Sequence, residues 1–320
     1  QIPFRRFPFV TRLNRLIGVT ALKLVCRKLK FKNPIIWTTL PHVFPLIGGL
    51  KERLLVYYCV DNFVAMYGVD ICRIKWADEM MTRNADLVFV PSETMVRLKN
   101  KLNPKTFVSP PGVDLEIFSK ALDPATPLPK EIAFLPHPII GFFGLIAGTI
   151  DLNLIKYIAT NRPQWSLVMV GRVAQDIGLL SSCPNVYFLG PRPYGQLPNY
   201  AKAFDVALIP YILDENTVHA DPIKIREYLA AGRPVVAVRT TGTKRFQNLV
   251  WLADSYQEFL SKIEQALQED TDELRLQRVQ AMRNEGWERK VRRVSSIANA
   301  ILRKKYSSKC SNPLRDVSGE

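Results

Sequence analysis

The sequence predicts an α/β protein of two domains, each a parallel sheet wound with helices. Two observations carry this. Between residues 139 and 238, short β-branched or apolar runs alternate with helix-forming stretches, the pattern of parallel β-α-β units in a doubly wound sheet. A proline-rich stretch from Leu115 to Pro138, including "DPATPLPKEIAFLPHP", divides this region from a shorter alternation before it and reads as a linker. With 320 residues, 47% of them hydrophobic, the chain can bury substantial cores. The expected first domain is residues 1–135 and the second 136–285.

Residues 9 to 31 read as a helix with proline-limited ends, followed by buried-strand runs in "PIIWTTL" and "RLLVYYCV". A helix is expected from Ile71 to Asn84, then a strand in "DLVFVPS", with Ser92 capping a helix that reaches about Lys101. "TFVSPPGVD" closes the first set as a short strand and turn. In the second set, "IIGFFG", "SLVMVG", "VYFLG", "DVALIPY" and "PVVAV" are strands. Helices are expected over Asp151 to Thr160, Leu197 to Ala203 and Pro222 to Ala231.

Charge is unevenly spread. The net charge is +15, and residues 1 to 50 contain no acid while Arg5, Arg6, Arg12, Arg15, Lys23, Arg27, Lys28, Lys30 and Lys32 alternate with apolar residues. An anionic surface suits that pattern, and so does a basic helix face whose apolar side packs on a core. The C-terminal run "WERKVRRVSSIANAILRKKY" admits the same two readings. No recognition-helix or aromatic-basic sheet motif points to nucleic acid, so nucleic acid is not an expected partner. No run of about 18 apolar residues is present to span a bilayer. Cysteines at 26, 59, 72, 183 and 310 form no C-x-x-C pair, which argues for a reducing compartment and against structural zinc.

In an open parallel sheet, ligands sit beyond the carboxyl ends of the strands. There "GFFGLIAGTID" places Gly144 and Gly148 in a loop entering a helix, whose free N–H groups suit a phosphate or simply make a tight turn. "VMVGRV" puts Arg172 at the same sheet edge, and its planar fork matches phosphate oxygens. "IPYILDENTVHA" brings Thr217 and His219 toward the same crevice. In "DPIKIREYLAAGRPVVAV", Asp221 is expected to cap a helix with Pro222 at its first position and Gly232 after its end. Lys224 in the first turn opposes the helix dipole unless an anion sits between them. Glu227, one turn on, can accept two ribose hydroxyls, or pair with Lys224 at the surface. Asp61 in "YYCVDN" ends a first-domain strand and either contacts an acceptor or caps. Asp270 and Asp272 in "EDTDE" have metal-binding D-x-D spacing but lie among C-terminal helices, where capping is the better reading.

The stretches "IGFFGLIAGTIDLNLI", "RPQWSLVMVGRV", "NVYFLGPRPYGQLPNYAKAFDVALIPY" and "TVHADPIKIREYLAAGRPVVAV", in this order over residues 139 to 238, resemble retaining glycosyltransferases of the GT-B fold, in particular bacterial family 4-like enzymes. That resemblance implies two Rossmann-like doubly wound domains facing a cleft, with residues 286–320 as closing helices and a polar tail. It implies a UDP- or GDP-linked sugar donor, a glycolipid or saccharide acceptor, and no cofactor or metal. Arg172 and Lys224 would hold the diphosphate and act as the catalytic cations. Gly144 would admit the phosphates, Glu227 would bind the ribose, and Gly148, Thr217, His219 and Asp221 would complete the donor site. Two departures stand out. His219 occupies a position where many members carry a glutamate, and no β-α-β unit with a Gly-rich loop precedes "PIIWTTL", so the first domain is expected to be incomplete. A nucleotide-sugar epimerase of the same fold and an inactive truncated relative are the alternatives. The expected place is the cytoplasm, on the inner face of the cytoplasmic membrane.

Overall fold

The computed structural model describes residues 8–60, 62–63, 70–214, 217–218 and 221–310. The chain forms two compact units, residues 1–110 with 291–320, and residues 111–290.

In the first unit, strands β1 (Ile35–Thr38), β2 (Leu54–Tyr58), β3 (Leu87–Val90) and β4 (Thr106–Val108) make a parallel sheet in sequential order. The second and third are almost wholly buried, as strands covered on both faces must be. Helices α2 (Ile71–Asn84) and α3 (Glu93–Lys99) cover one face, where Met81 and Met95 meet Leu55, Tyr57, Val88 and Val90. Each starts at a side-chain cap, Asp70 accepting from the Arg73 N–H at 3.2 Å and Ser92 from that of Met95 at 3.3 Å. Two further helices are α1 (Pro8–Lys28) and, at the other end of the chain, α10 (Trp287–Cys310). The latter lays Val294 and Ala298 on the opposite face of the sheet, against Leu54, Val56, Leu87 and Phe89. Every crossover steps in the same direction, so the described strands of this unit are wound one way only, not doubly as expected.

Below the sheet, the Lys99 ammonium reaches both Asp78 carboxylate oxygens, at 2.7 and 2.6 Å, and the Tyr57 hydroxyl donates to the same carboxylate at 2.6 Å. Both charges are largely buried. Removing one strands the other, which typically costs about 3–5 kcal/mol.

The second unit contains β5 (Ile139–Phe143), β6 (Ser166–Val170), β7 (Val186–Gly190), β8 (Val206–Ile209), β9 (Val235–Val238) and β10 (Trp251–Ala253). All pair in parallel in the order β10-β9-β8-β5-β6-β7. The order reverses between β5 and β8, so the connections leave those strands in opposite directions and open a crevice at their carboxyl ends. Helices α6 (Leu197–Ala203) and α7 (Ile223–Ala230) pack on one face, α5 (Leu152–Asn161) and α8 (Tyr256–Glu269) on the other. Helix α9 (Asp272–Met282) follows, capped by Thr271, while Asp270 is held by Arg275 at 2.7 Å and by Arg278. The D-x-D spacing is therefore used for capping and ion pairing.

The proline-rich stretch is not a linker. Its Phe118, in the short helix α4 (Leu115–Phe118), is buried in the second unit's core with Ala121 and Ile132. Apolar side chains this well packed bind the stretch to that unit, and the division falls at Pro110 instead of near residue 135.

We predict that Lys99→Ala lowers the stability of the first unit by about 3–5 kcal/mol. Differential scanning calorimetry should show one of two transitions moving down while the other stays in place.

Candidate functional site

The crevice is built from the residues that follow β5, β6 and β8. Gly144 leaves β5 with φ +143° and donates its N–H to Val170 at 2.8 Å. Gly171 leaves β6 with φ +149° and donates to Gly190 at 2.9 Å. The two loops run so close that a Cβ on Gly171 would stand 1.8 Å from the Gly144 carbonyl oxygen. Both glycines are thus demanded by backbone conformation and by contact. Beyond them, the Ile146 N–H bonds the Arg172 carbonyl at 3.0 Å, and the Ala174 N–H bonds Ile146 at 2.8 Å. The loop then turns toward β8: the Asp151 N–H donates to Pro210 at 2.9 Å, and the Ile212 N–H to Thr149 at 2.9 Å. Asp151 caps α5, accepting from the Leu154 N–H at 3.0 Å.

Helix α7 ends as the sequence predicts. Gly232 has φ +72°, its N–H bonds Leu229 at 3.0 Å, and the Arg233 N–H bonds Tyr228 at 2.9 Å, a Schellman closure. Its start differs. Pro222 occupies the cap position and no side chain caps the helix. Asp221 instead forms a two-bond pair with Arg226 at 2.6 and 2.9 Å, and a further contact with Arg245 at 3.1 Å. A fully buried guanidinium needs a carboxylate more than the helix end does, so the ion pair wins over the cap. Arg226 also reaches Glu285 at 3.1 Å, and Lys290 meets the same Glu285 oxygen at 2.8 Å. Burial alone would raise the Glu285 carboxyl, but the two cations hold it below its ordinary range.

Lys224 lies directly over Gly144. A Cβ on that glycine would come within 2.0 Å of the lysine Cε and 2.9 Å of Nζ. The ammonium stands 5.9 Å from the centre of the Phe142 ring, and among the described residues it has no ion-pair partner within 4.0 Å. The surface pair with Glu227 is therefore not formed. Glu227 itself is only 4% exposed. Burial pushes its carboxyl above the ordinary range, opposed by the Lys224 charge and by the nearby Tyr194 hydroxyl.

Tyr194 was not legible as a site residue. It lies in the turn after β7, its ring edge-on to Phe118 at 5.5 Å, and nothing in its local sequence separates it from a surface tyrosine.

Arg172 is exposed immediately after Gly171. Gly148 is also exposed, and no atom stands within 4 Å of where its Cβ would be. The buried Thr217 spends its hydroxyl locally, donating to the Ile212 carbonyl and accepting from the Asp214 N–H at 3.0 Å. His219 and Asp61 lie outside the described residues. Among the described residues, no group of three or more His, Cys, Asp or Glu side chains is placed to hold a metal ion.

A lysine with no ion pair among the described residues, at a helix start and over a glycine at a sheet reversal, is an arrangement that suits an anion. Residues 138–269 match the glycosyl transferases group 1 family. TuaH of Bacillus subtilis, assigned as a glycosyltransferase of teichuronic acid biosynthesis, is 27% identical over 231 residues, 66% of this chain. The chain spans 57% of that relative's length. Among solved structures, sucrose-phosphate synthase from Thermosynechococcus elongatus has a TM-score of 0.71 at 19% identity, covering 90% of this chain and 78% of that one. Anabaena Alr3699/HepE in complex with UDP has a TM-score of 0.66 at 17% identity, covering 90% and 82%. These likenesses show the fold: parallel-sheet α/β, with two Rossmann-like domains as in GT-B glycosyltransferases.

We predict that Gly144→Ala costs about 1–3 kcal/mol of stability, from the positive φ and the displaced lysine. Chemical denaturation followed by circular dichroism will measure it.

Proposed function

We propose that this protein is a retaining glycosyltransferase that moves a sugar from a nucleoside-diphosphate donor to a hydroxyl of a glycolipid or saccharide in cell-envelope polymer synthesis. Its place of action is the inner, cytoplasmic face of the membrane. The observation that carries the reading is Lys224, which has no ion pair among the described residues, lies over Gly144 and stands one turn from the buried Glu227. UDP is favoured over GDP because HepE was solved with UDP and with UDP-glucose, and another similar structure with UDP-2-fluoro glucose.

In this reading the Lys224 ammonium and the first-turn N–H groups of α7 meet the diphosphate, and Arg172 approaches it from the β6 loop. As the bond from the sugar's anomeric carbon to the diphosphate oxygen breaks, its electron pair passes to that oxygen. The cations stabilise the charge that develops there. The acceptor oxygen bonds the same carbon, and its proton goes to a donor phosphate oxygen. Glu227 accepts the ribose hydroxyls. Neither metal nor cofactor is part of this scheme.

Isothermal titration with UDP and GDP tests the reading. Glu227→Ala and Lys224→Ala should each weaken binding by about 1–3 kcal/mol, the range for hydrogen bonds to charged groups. A folded wild-type protein that binds neither nucleotide rules the donor site out.

Glu227 adds a pH signature. Its folded pKa is raised, so in the free protein it contributes stability below its ordinary pKa that is lost as pH rises through the folded value. Nucleotide binding has the opposite sign, because the ribose needs the carboxylate. UDP affinity should fall on acidification at a pH above the ordinary 4.5 of a glutamate, and Glu227→Gln should flatten that dependence.

A further inference from the structure

Helices α1 and α10 have the same kind of sequence, basic residues interleaved with apolar ones, and the fold treats them differently. The apolar side of α10 is used: Val294 and Ala298 are buried, with Ile297, Ile301 and Leu302 packed beside them. In α1 only Val10 is buried among the large apolar residues. The side of α1 carrying Gly18 and Val19 is the one that meets the following segment, at Leu46 and Gly49.

That leaves a stripe of Phe9, Leu13, Leu16, Ile17 and Leu24, spaced i, i+4, i+7, i+8 and i+15 on one helix face and between 42% and 67% exposed. It runs for about 22 Å at 1.5 Å per residue. Arg12 and Lys23 border it, with Arg27 at its end, and no acid occurs anywhere in residues 1 to 50. An exposed apolar stripe of this length is unusual on a soluble surface. A cationic rim without a single carboxylate matches the anionic head groups of a bilayer, and the apolar stripe matches the acyl boundary beneath them. No helix among the described residues is long and apolar enough to cross a membrane, so the contact would lie in the interface plane.

We propose that the Phe9–Leu13–Leu16–Ile17–Leu24 face of α1 docks on an anionic lipid surface, with Arg12, Lys23 and Arg27 at head-group level, while α10 is a core helix. As a way of presenting a lipid-borne acceptor, the proposal rests on the glycosyltransferase reading above. The lipid contact itself is measured separately.

The test is co-sedimentation of the full chain with phosphatidylcholine vesicles, with and without about 30 mol% phosphatidylglycerol. The chain should pellet with the anionic vesicles only, and less so in about 0.5 M salt. Leu16→Ser/Ile17→Ser and Arg12→Glu/Lys23→Glu should each reduce the partition about tenfold or more, with UDP binding and the thermal transition unchanged. Equal binding to neutral vesicles, or none to either, overturns the proposal. So does a dimer in gel filtration that Leu16→Ser/Ile17→Ser converts to monomer without any vesicle binding, which would assign the face to a second copy. Vesicle binding without UDP binding would leave this proposal standing and remove the donor site.

Discussion

The geometry of the candidate site depends on one buried hydrogen bond, from the Phe143 N–H at the end of β5 to the Tyr228 hydroxyl in α7, at 2.8 Å. Tyr228 is completely buried, so its hydroxyl must find a partner inside the protein. The two rings lie 4.4 Å apart, and the contact fixes both the height and the rotation of the helix against the sheet. Lys224 stands four residues before Tyr228, hence on the same helix face, and is carried over the strand end. Gly144 is the residue it meets there, and only glycine leaves it room.

The two cations of α7 stand in different surroundings. Arg226, on the side away from Tyr228, is saturated by Asp221 and Glu285 and stacks 4.9 Å from the Phe246 ring. Its attraction to carboxylates offsets the cost of burial and leaves nothing to offer a ligand. Lys224, two residues earlier, is half-buried and has no ion pair among the described residues. The neighbouring Glu227 is buried, and that burial raises its pKa.

In the first unit a similar contrast governs the two basic helices. Their compositions are alike, yet the sheet has one uncovered face left after α2 and α3 are placed, and α10 takes it. The apolar stripe of α1 is consequently left at the surface.

By itself the sequence determined what is decided within a turn or two of chain. Helices Ile71–Asn84 and Leu197–Ala203 fall where the periodicity puts them, Ser92, Asp151 and Thr271 cap, and Gly232 closes α7. These signals are hydrogen bonds over three or four residues and apolar spacings over one face, so local sequence contains both partners. The positions of Gly144 after a strand and Lys224 at a helix start were also legible, because strand ends and helix starts are local features of a parallel sheet. Tertiary structure alone decided the rest. Asp221 left its cap for Arg226, whose other partner, Glu285, is 59 residues away. Tyr194 came near Glu227 from a different strand end, Phe118, Ala121 and Ile132 of the proline-rich stretch joined a core, and the first sheet ran in one direction. Each of these outcomes depends on which strands become neighbours, a competition among distant segments for buried surface that no local window contains.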